Sequence, residues 1–171
     1  MEQKIQTISP YHQHYISLVN STDVIKAIVN TGNDFHAYIN SLNELQGNYS
    51  YEKGKWSVKE ITGHIADAER VFAYRALRFA RNDKTPLPSF EQDDYVKAAN
   101  FNYRTLSDLA EELNLIRASN IALFKTFSEE ELSRTGIASG NNYSVRDLIY
   151  IIAGHQKHHL NILKEKYFPF N

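Results

Sequence analysis

SVKEITGHIADAERVFAYRALRFARN, residues 57–82, opens like a helix and keeps a helical period almost to its end. Ser57 and Glu60 stand in the S-x-x-E arrangement of a capping box, in which each side chain satisfies a backbone N–H at the helix start. Val58, Ile61, Ile65, Ala68, Phe72 and Phe79 follow at spacings of three, four and seven, which places them on one face. The pattern predicts a helix from Ser57 to about Asn82. Two polar residues share that apolar face. His64 lies beside Ile61, Ile65 and Ala68, and Arg75 falls between Phe72 and Phe79. A buried imidazole or guanidinium needs a partner, so both positions require an explanation.

Three more segments carry the same period. Residues 22–45, behind N-cap candidates Ser21, Thr22 and Asp23, have the stripe Ile25, Ile28, Phe35, Ile39 and Leu42, with Gly32 on it. Residues 106–127 keep a seam of Leu109, Leu113, Ile116, Leu123 and Phe127, interrupted by Asn120. Such a polar seam residue either enters a site or fixes bundle register. After the turn-rich SGNN at 139–142, a helix from Ser144 to about Tyr167 has the seam Val145, Leu148, Ile152, His155, His159 and Ile162. Four amphipathic helices with few strand signals argue for an all-α four-helix bundle. Residues 10–19 add a short helix. Residues 84–104, with Pro86 and Pro88, exceed the usual bundle connection of about 2–8 residues. They read as a long crossover between helices two and three, as cover for a site, or as holding a short helix over 93–99.

Length and composition narrow the functional classes. The 171 residues suit one domain, 1–171, and the net charge of −1 gives no basic footprint for nucleic acid. No apolar run reaches the roughly 20 residues of a membrane span. No apolar signal segment is seen near the start, so a cytoplasmic location is the default expectation. The chain has no cysteine, which excludes disulfides, thiolate ligands and a cysteine nucleophile.

Histidine is the remaining chemistry. AGHQKHHL, residues 153–160, holds three of the seven histidines. His155 and His159 are four apart, stacked on one helical face, and both occupy seam positions. His158 falls beside the seam. The segment also echoes the opening one: WSVKEITGH and YSVRDLIYIIAGH each run aromatic, Ser cap, Val, base, acid, apolar residue and a later Gly-His. That echo makes His64 the third partner. Three imidazoles on zinc leave a fourth position open, as in catalytic sites; nickel and ferrous iron also suit imidazole. Asp67, three after His64, either orients that ring or is a solvated charge. Glu60 is mainly structural. Glu69 and Arg70 read as exposed charge pairs. Arg75 faces an anionic ligand or, as the plainer reading, a buried ion pair. His12 and His14 read as surface or loop histidines.

The stretches GKWSVKEITGHIADAERVFAYRALRFARND, PLPSFEQDDYV and YSVRDLIYIIAGHQKHHLNIL resemble the DinB superfamily, in its DinB-like and YfiT-like metalloenzyme branch, over about Tyr49 to Tyr167. The resemblance implies an up-down-down-up bundle with a long crossover between helices 2 and 3. It implies a divalent metal, zinc or nickel, on His64, His155 and His159. It also implies a metal-dependent enzyme acting on a small molecule, as a thiol S-transferase with a low-molecular-weight thiol or as a hydrolase with water. A homodimer is expected, with Tyr167, Phe168 and Phe170 either at its interface or packing the tail. The alternative is a non-catalytic metal-binding or stress-response bundle that works through protein partners.

Overall fold

The computed structural model describes residues 8–169. In chain order its elements are α1 (Pro10–Ser17), α2 (Val24–Asn40), α3 (Glu44–Gly47), α4 (Val58–Ala80), α5 (Gln92–Ala99), α6 (Leu106–Phe124), α7 (Glu129–Ser133), the hairpin β1 (Thr135–Ala138) and β2 (Asn141–Ser144), and α8 (Val145–Ile162). α8 continues into a π-helical turn, Leu163–Tyr167. The capping boxes expected at Ser57–Glu60 and Ser144–Asp147 form and start α4 and α8. The first long helix is shorter than its stripe suggests. Asn43 and Gln46 build their own capping box, which starts α3 as a separate helix. α6 likewise stops at Phe124, because Ser128 and Glu131 cap α7.

α2, α4, α6 and α8 form the bundle, and side-chain contacts give its directions. α2 runs against α6: Arg117, late in α6, reaches the Ile28 carbonyl early in α2. α4 and α6 run parallel, from Ser57 hydrogen-bonding Asn102 just before α6 to Glu69 pairing with Arg117. α8 is antiparallel to α4, since its C-terminal half meets His64 near the start of α4. α2 and α8 share a direction, with Asp34 near Lys157. The order is up-down-down-up, and residues 81–105 make the crossover that two consecutive parallel helices require. Part of this crossover is pinned to the hairpin: Leu87 N–H donates to the Ile137 carbonyl and Ser139 N–H donates to the Leu87 carbonyl. The hairpin turn places Ser139 and Gly140 at φ of 50° and 75°, the two positive values that a two-residue type I′ connection demands.

The apolar core is in two parts. One, around Phe72, Phe79, Phe124, Tyr143 and Leu148, lies toward the hairpin. The other, around Phe35, Ile39, Ile65, Leu113 and Leu160, lies at the opposite end. A polar band separates them. It contains His64, His155 and His159 on one side and a buried Glu69–Arg117 pair on the other. Both guanidinium–carboxylate bonds of that pair are 2.8 Å, and Asn120 donates to the same carboxylate at 3.1 Å. Glu69 is therefore not an exposed charge, because its partner comes from α6, 48 residues away. Asn120 thus faces the α4 carboxylate of this ion pair. Arg70 does lie at the surface, paired with Asp67 and Glu112.

The glycine before each core histidine has a packing role. A Cβ on Gly154 would lie 1.9 Å from the Tyr15 carbonyl oxygen, so only glycine lets α1 dock on α8. A Cβ on Gly63 would lie 2.3 Å from the Phe101 ring. The repeated Gly-His is thus a close approach beside a polar side chain, on two helices.

Candidate metal centre

His64 comes from the second turn of α4, and His155 and His159 from consecutive turns of α8. Their Nε2 atoms converge: His64 to His155 is 3.0 Å and His159 to His155 is 3.1 Å. All three can offer a ligand atom within 4.8 Å of the others. The residues are 2%, 4% and 9% exposed. Burial holds His64 down at about 4 and pushes His155 and His159 well below the ordinary histidine range; the neighbouring imidazoles push the latter two in the same direction. At neutral pH all three are therefore uncharged, the state in which imidazole ligates a metal. The three Nε2 atoms have only one another as hydrogen-bond partners among the described residues, and the Nε2 of His155 is shared between the other two. His159 Nδ1 is also buried with no partner among the described residues. A divalent cation fits this donor set, because it would satisfy three converging lone pairs at once.

Aromatic rings wall the cluster. Trp56 packs on His64 with ring centres 4.8 Å apart, and Tyr15 packs on His155 at 5.2 Å. Two clefts lead to it. One, about 310 Å³, is bordered by α1, the crossover and the hairpin turn, and reaches His64 and His155. The other, about 270 Å³, lies by Trp56 and Tyr167 and reaches His159. Asp93 of α5 borders both, so the crossover helix covers the centre between them.

Asp67 points toward α6, with its carboxylate 3.5 Å from Arg70 and no hydrogen bond to His64. Burial raises its pKa, opposed by Arg70. His158 is half-buried and packs against Tyr15 and His14 rather than facing the cluster. Arg75 has no ion pair among the described residues. It donates from Nη2 to the Pro88 carbonyl at 2.7 Å and Ser139 Oγ at 3.0 Å. These partners come from the crossover and the hairpin, which residue spacing on α4 does not reveal. His12 is not a loop histidine. It sits on α1, hydrogen-bonds the Tyr143 hydroxyl through Nδ1 at 2.6 Å, and lines the larger cleft. Burial and then the Arg75 cation hold it down at about 4. Sequence reading missed it because α1 meets the hairpin only through tertiary packing. Tyr167 donates to the Trp56 carbonyl and packs the tail, whereas Phe170 lies outside the described residues.

Residues 27–163 match the model of the DinB superfamily. The chain belongs to the DinB superfamily. Among its DinB-like relatives is a protein of Oceanobacillus iheyensis named "Putative metal-dependent hydrolase", 27% identical over 142 residues, which cover 82% of this chain and 81% of the relative. A protein of the same name from Halalkalibacterium halodurans is 25% identical over 138 residues, covering 80% of each chain. Two solved structures share the fold. YfiT from Bacillus subtilis, described as "a probable metal-dependent hydrolase with an unusual four-helix bundle topology", superposes with a TM-score of 0.70 at 14% identity, over 93% of this chain and 87% of that one. A mycothiol-dependent maleylpyruvate isomerase gives a TM-score of 0.68 at 11% identity, over 89% of this chain and 62% of that one. No helix among the described residues is long and apolar enough to cross a membrane.

Proposed function

We propose that this protein is a metal-dependent enzyme acting on a small molecule, with His64, His155 and His159 holding one divalent ion. The observation that carries this reading is the convergence of three buried, neutral Nε2 atoms at the inner end of open clefts. A structural site would have no need of such access. When bound, the metal supplies Lewis acidity and lowers the pKa of a water or thiol at its open position. The chain's own residues do the rest. Burial keeps the three imidazoles deprotonated. Trp56 forms an apolar wall on the side of the smaller cleft, and Tyr15 and Phe72 form one on the side of the larger. The larger cleft admits and orients the substrate. The chain has no cysteine, so the nucleophile is either water or the thiol of a second small molecule.

The names of the sequence relatives favour hydrolysis, and the mycothiol-dependent structural neighbour keeps thiol transfer as the second arm of the test. Zinc- and nickel-loaded protein is assayed against ester, amide and phosphoester panels, and against electrophiles with added low-molecular-weight thiols. Metal-dependent turnover that His159→Ala abolishes supports the proposal. Turnover indifferent to His159→Ala contradicts it. A cytoplasmic homodimer belongs to the same reading, and light scattering checks the dimer.

A further inference from the structure

Arg75 is a cation without an anion. It lies on the inward face of α4, 3% exposed, and no carboxylate among the described residues pairs with it. Glu91 and Asp93, the acidic residues bordering the same cleft, are exposed and make no bond to it. A buried, uncompensated guanidinium is costly, yet the fold holds this one firmly. Two backbone-anchored acceptors fix Nη2, the Pro88 carbonyl and Ser139 Oγ. The Phe72 and Phe90 rings lie 5.7 and 5.9 Å from its carbon centre. Nε and Nη1 have no hydrogen-bond partner among the described residues, and the residue lines the larger cleft. His64 and His155 line the far end of that cleft, and Ala68 and Phe72 lie on the α4 wall between. Eleven residues of helix separate His64 from Arg75, about 16 Å along the axis at 1.5 Å each.

We propose that Arg75 is a substrate-binding residue that takes an oxyanion, a carboxylate or a phosphate, at the end of a small molecule whose other end reaches the three histidines. The proposal rests on the reading of the cleft as a substrate site and adds the substrate's charge to it. A guanidinium whose Nε–H and Nη1–H are not engaged offers an oxyanion a charge-assisted hydrogen bond from either side. The apolar wall between selects a short hydrocarbon or aromatic spacer. His12 adds a neutral polar edge beside the anion without competing for it, because its Nδ1 is engaged by Tyr143.

The test uses succinate and inorganic phosphate as probes, titrated by calorimetry into the metal-loaded and the chelator-treated protein. At least one anion is expected to bind in both forms, and Arg75→Gln is expected to weaken it about 10- to 100-fold, the worth of a charged hydrogen-bond pair. Arg75→Lys should recover part of the affinity. Metal stoichiometry should be unchanged in both variants. Among substrates turned over by the metal-loaded enzyme, Arg75→Gln should raise KM for anionic ones more than for neutral analogues. Should Arg75→Gln fail to fold, the Nε–H resonance of Arg75 in the wild-type protein decides: it shifts on anion addition if the proposal holds. Anion affinity equal in wild type and Arg75→Gln, an unmoved Nε–H resonance, or no binding of either anion overturns the proposal. The metal reading fails separately, through loss of metal dependence, since anion binding is also measured without metal.

Discussion

At the scale of single residues, the histidines of α8 divide by phase. His155 and His159 occupy the seam and meet His64, whereas His158 lies one step round the helix and meets α1. That division was legible in the sequence because the helical period is strong and both flanking seams are apolar. The role of His12 was not, because it depends on a hydrogen bond to Tyr143, 131 residues away. Metal ligation and stability pull apart at His159. Its Nδ1 is buried without a partner among the described residues, a desolvation cost that an apolar side chain would not carry. His159→Leu is therefore expected to match or exceed the thermal stability of the metal-free wild type while losing the rise in Tm that zinc confers. Equal zinc-induced rises in the two proteins would remove His159 from the ligand set. Gly154 makes the opposite case. Gly154→Ala should cost about 1–3 kcal/mol, because the added methyl meets the backbone of Tyr15. Urea unfolding measures the loss, and limited proteolysis should show α1 released.

At the scale of elements, the four long helices follow from caps and periods, and the short elements follow from contacts. α3 and α7 had capping boxes in the sequence, N-x-x-Q and S-x-x-E, but four or five residues carry no period to go with them. The hairpin was visible only as its turn: each strand has four residues, too few for alternation to show. Yet the hairpin matters to the site, since with the crossover it supplies both acceptors of Arg75. The Glu69–Arg117 pair ties α4 to α6 in the same polar band as the three histidines, with Arg117 also bonded to α2. Removing one partner leaves a buried charge, so Arg117→Ala should destabilise by about 3–5 kcal/mol. Replacing both, Glu69→Met with Arg117→Leu, should cost far less. A double-mutant cycle by denaturant unfolding reads this directly, and additive losses would show that the pair is not coupled.

At the scale of the whole molecule, a polar band of neutral imidazoles and one ion pair divides the apolar core, which makes the metal-free fold sensitive to acid. His12 and His64 are held near 4 in the folded state, against about 6.5 in an unfolded chain. Above pH 6.5 neither state binds the proton and stability is full. Between about 6.5 and 4 the unfolded chain takes up protons that the native state refuses, so stability falls as pH falls. Urea midpoints of the chelator-treated protein should decline from near pH 6.5 downward, before most carboxylates titrate; a flat profile from pH 7.5 to 5 would contradict the burial of neutral histidines. The up-down-down-up order itself follows from the long crossover, and that crossover also forms one border of both clefts.

In the proposed function, three imidazoles hold one divalent ion and leave a position open to small molecules. Cobalt(II) titration of the purified, metal-free protein tests it in a single spectrum. One equivalent per chain should bring up the visible absorption of a low-coordinate site. An added thiol or oxyanion should shift that band, and His64→Ala or His159→Ala should abolish it. Cobalt binding that survives both substitutions, or a band unmoved by any added ligand, would contradict an open three-histidine metal centre.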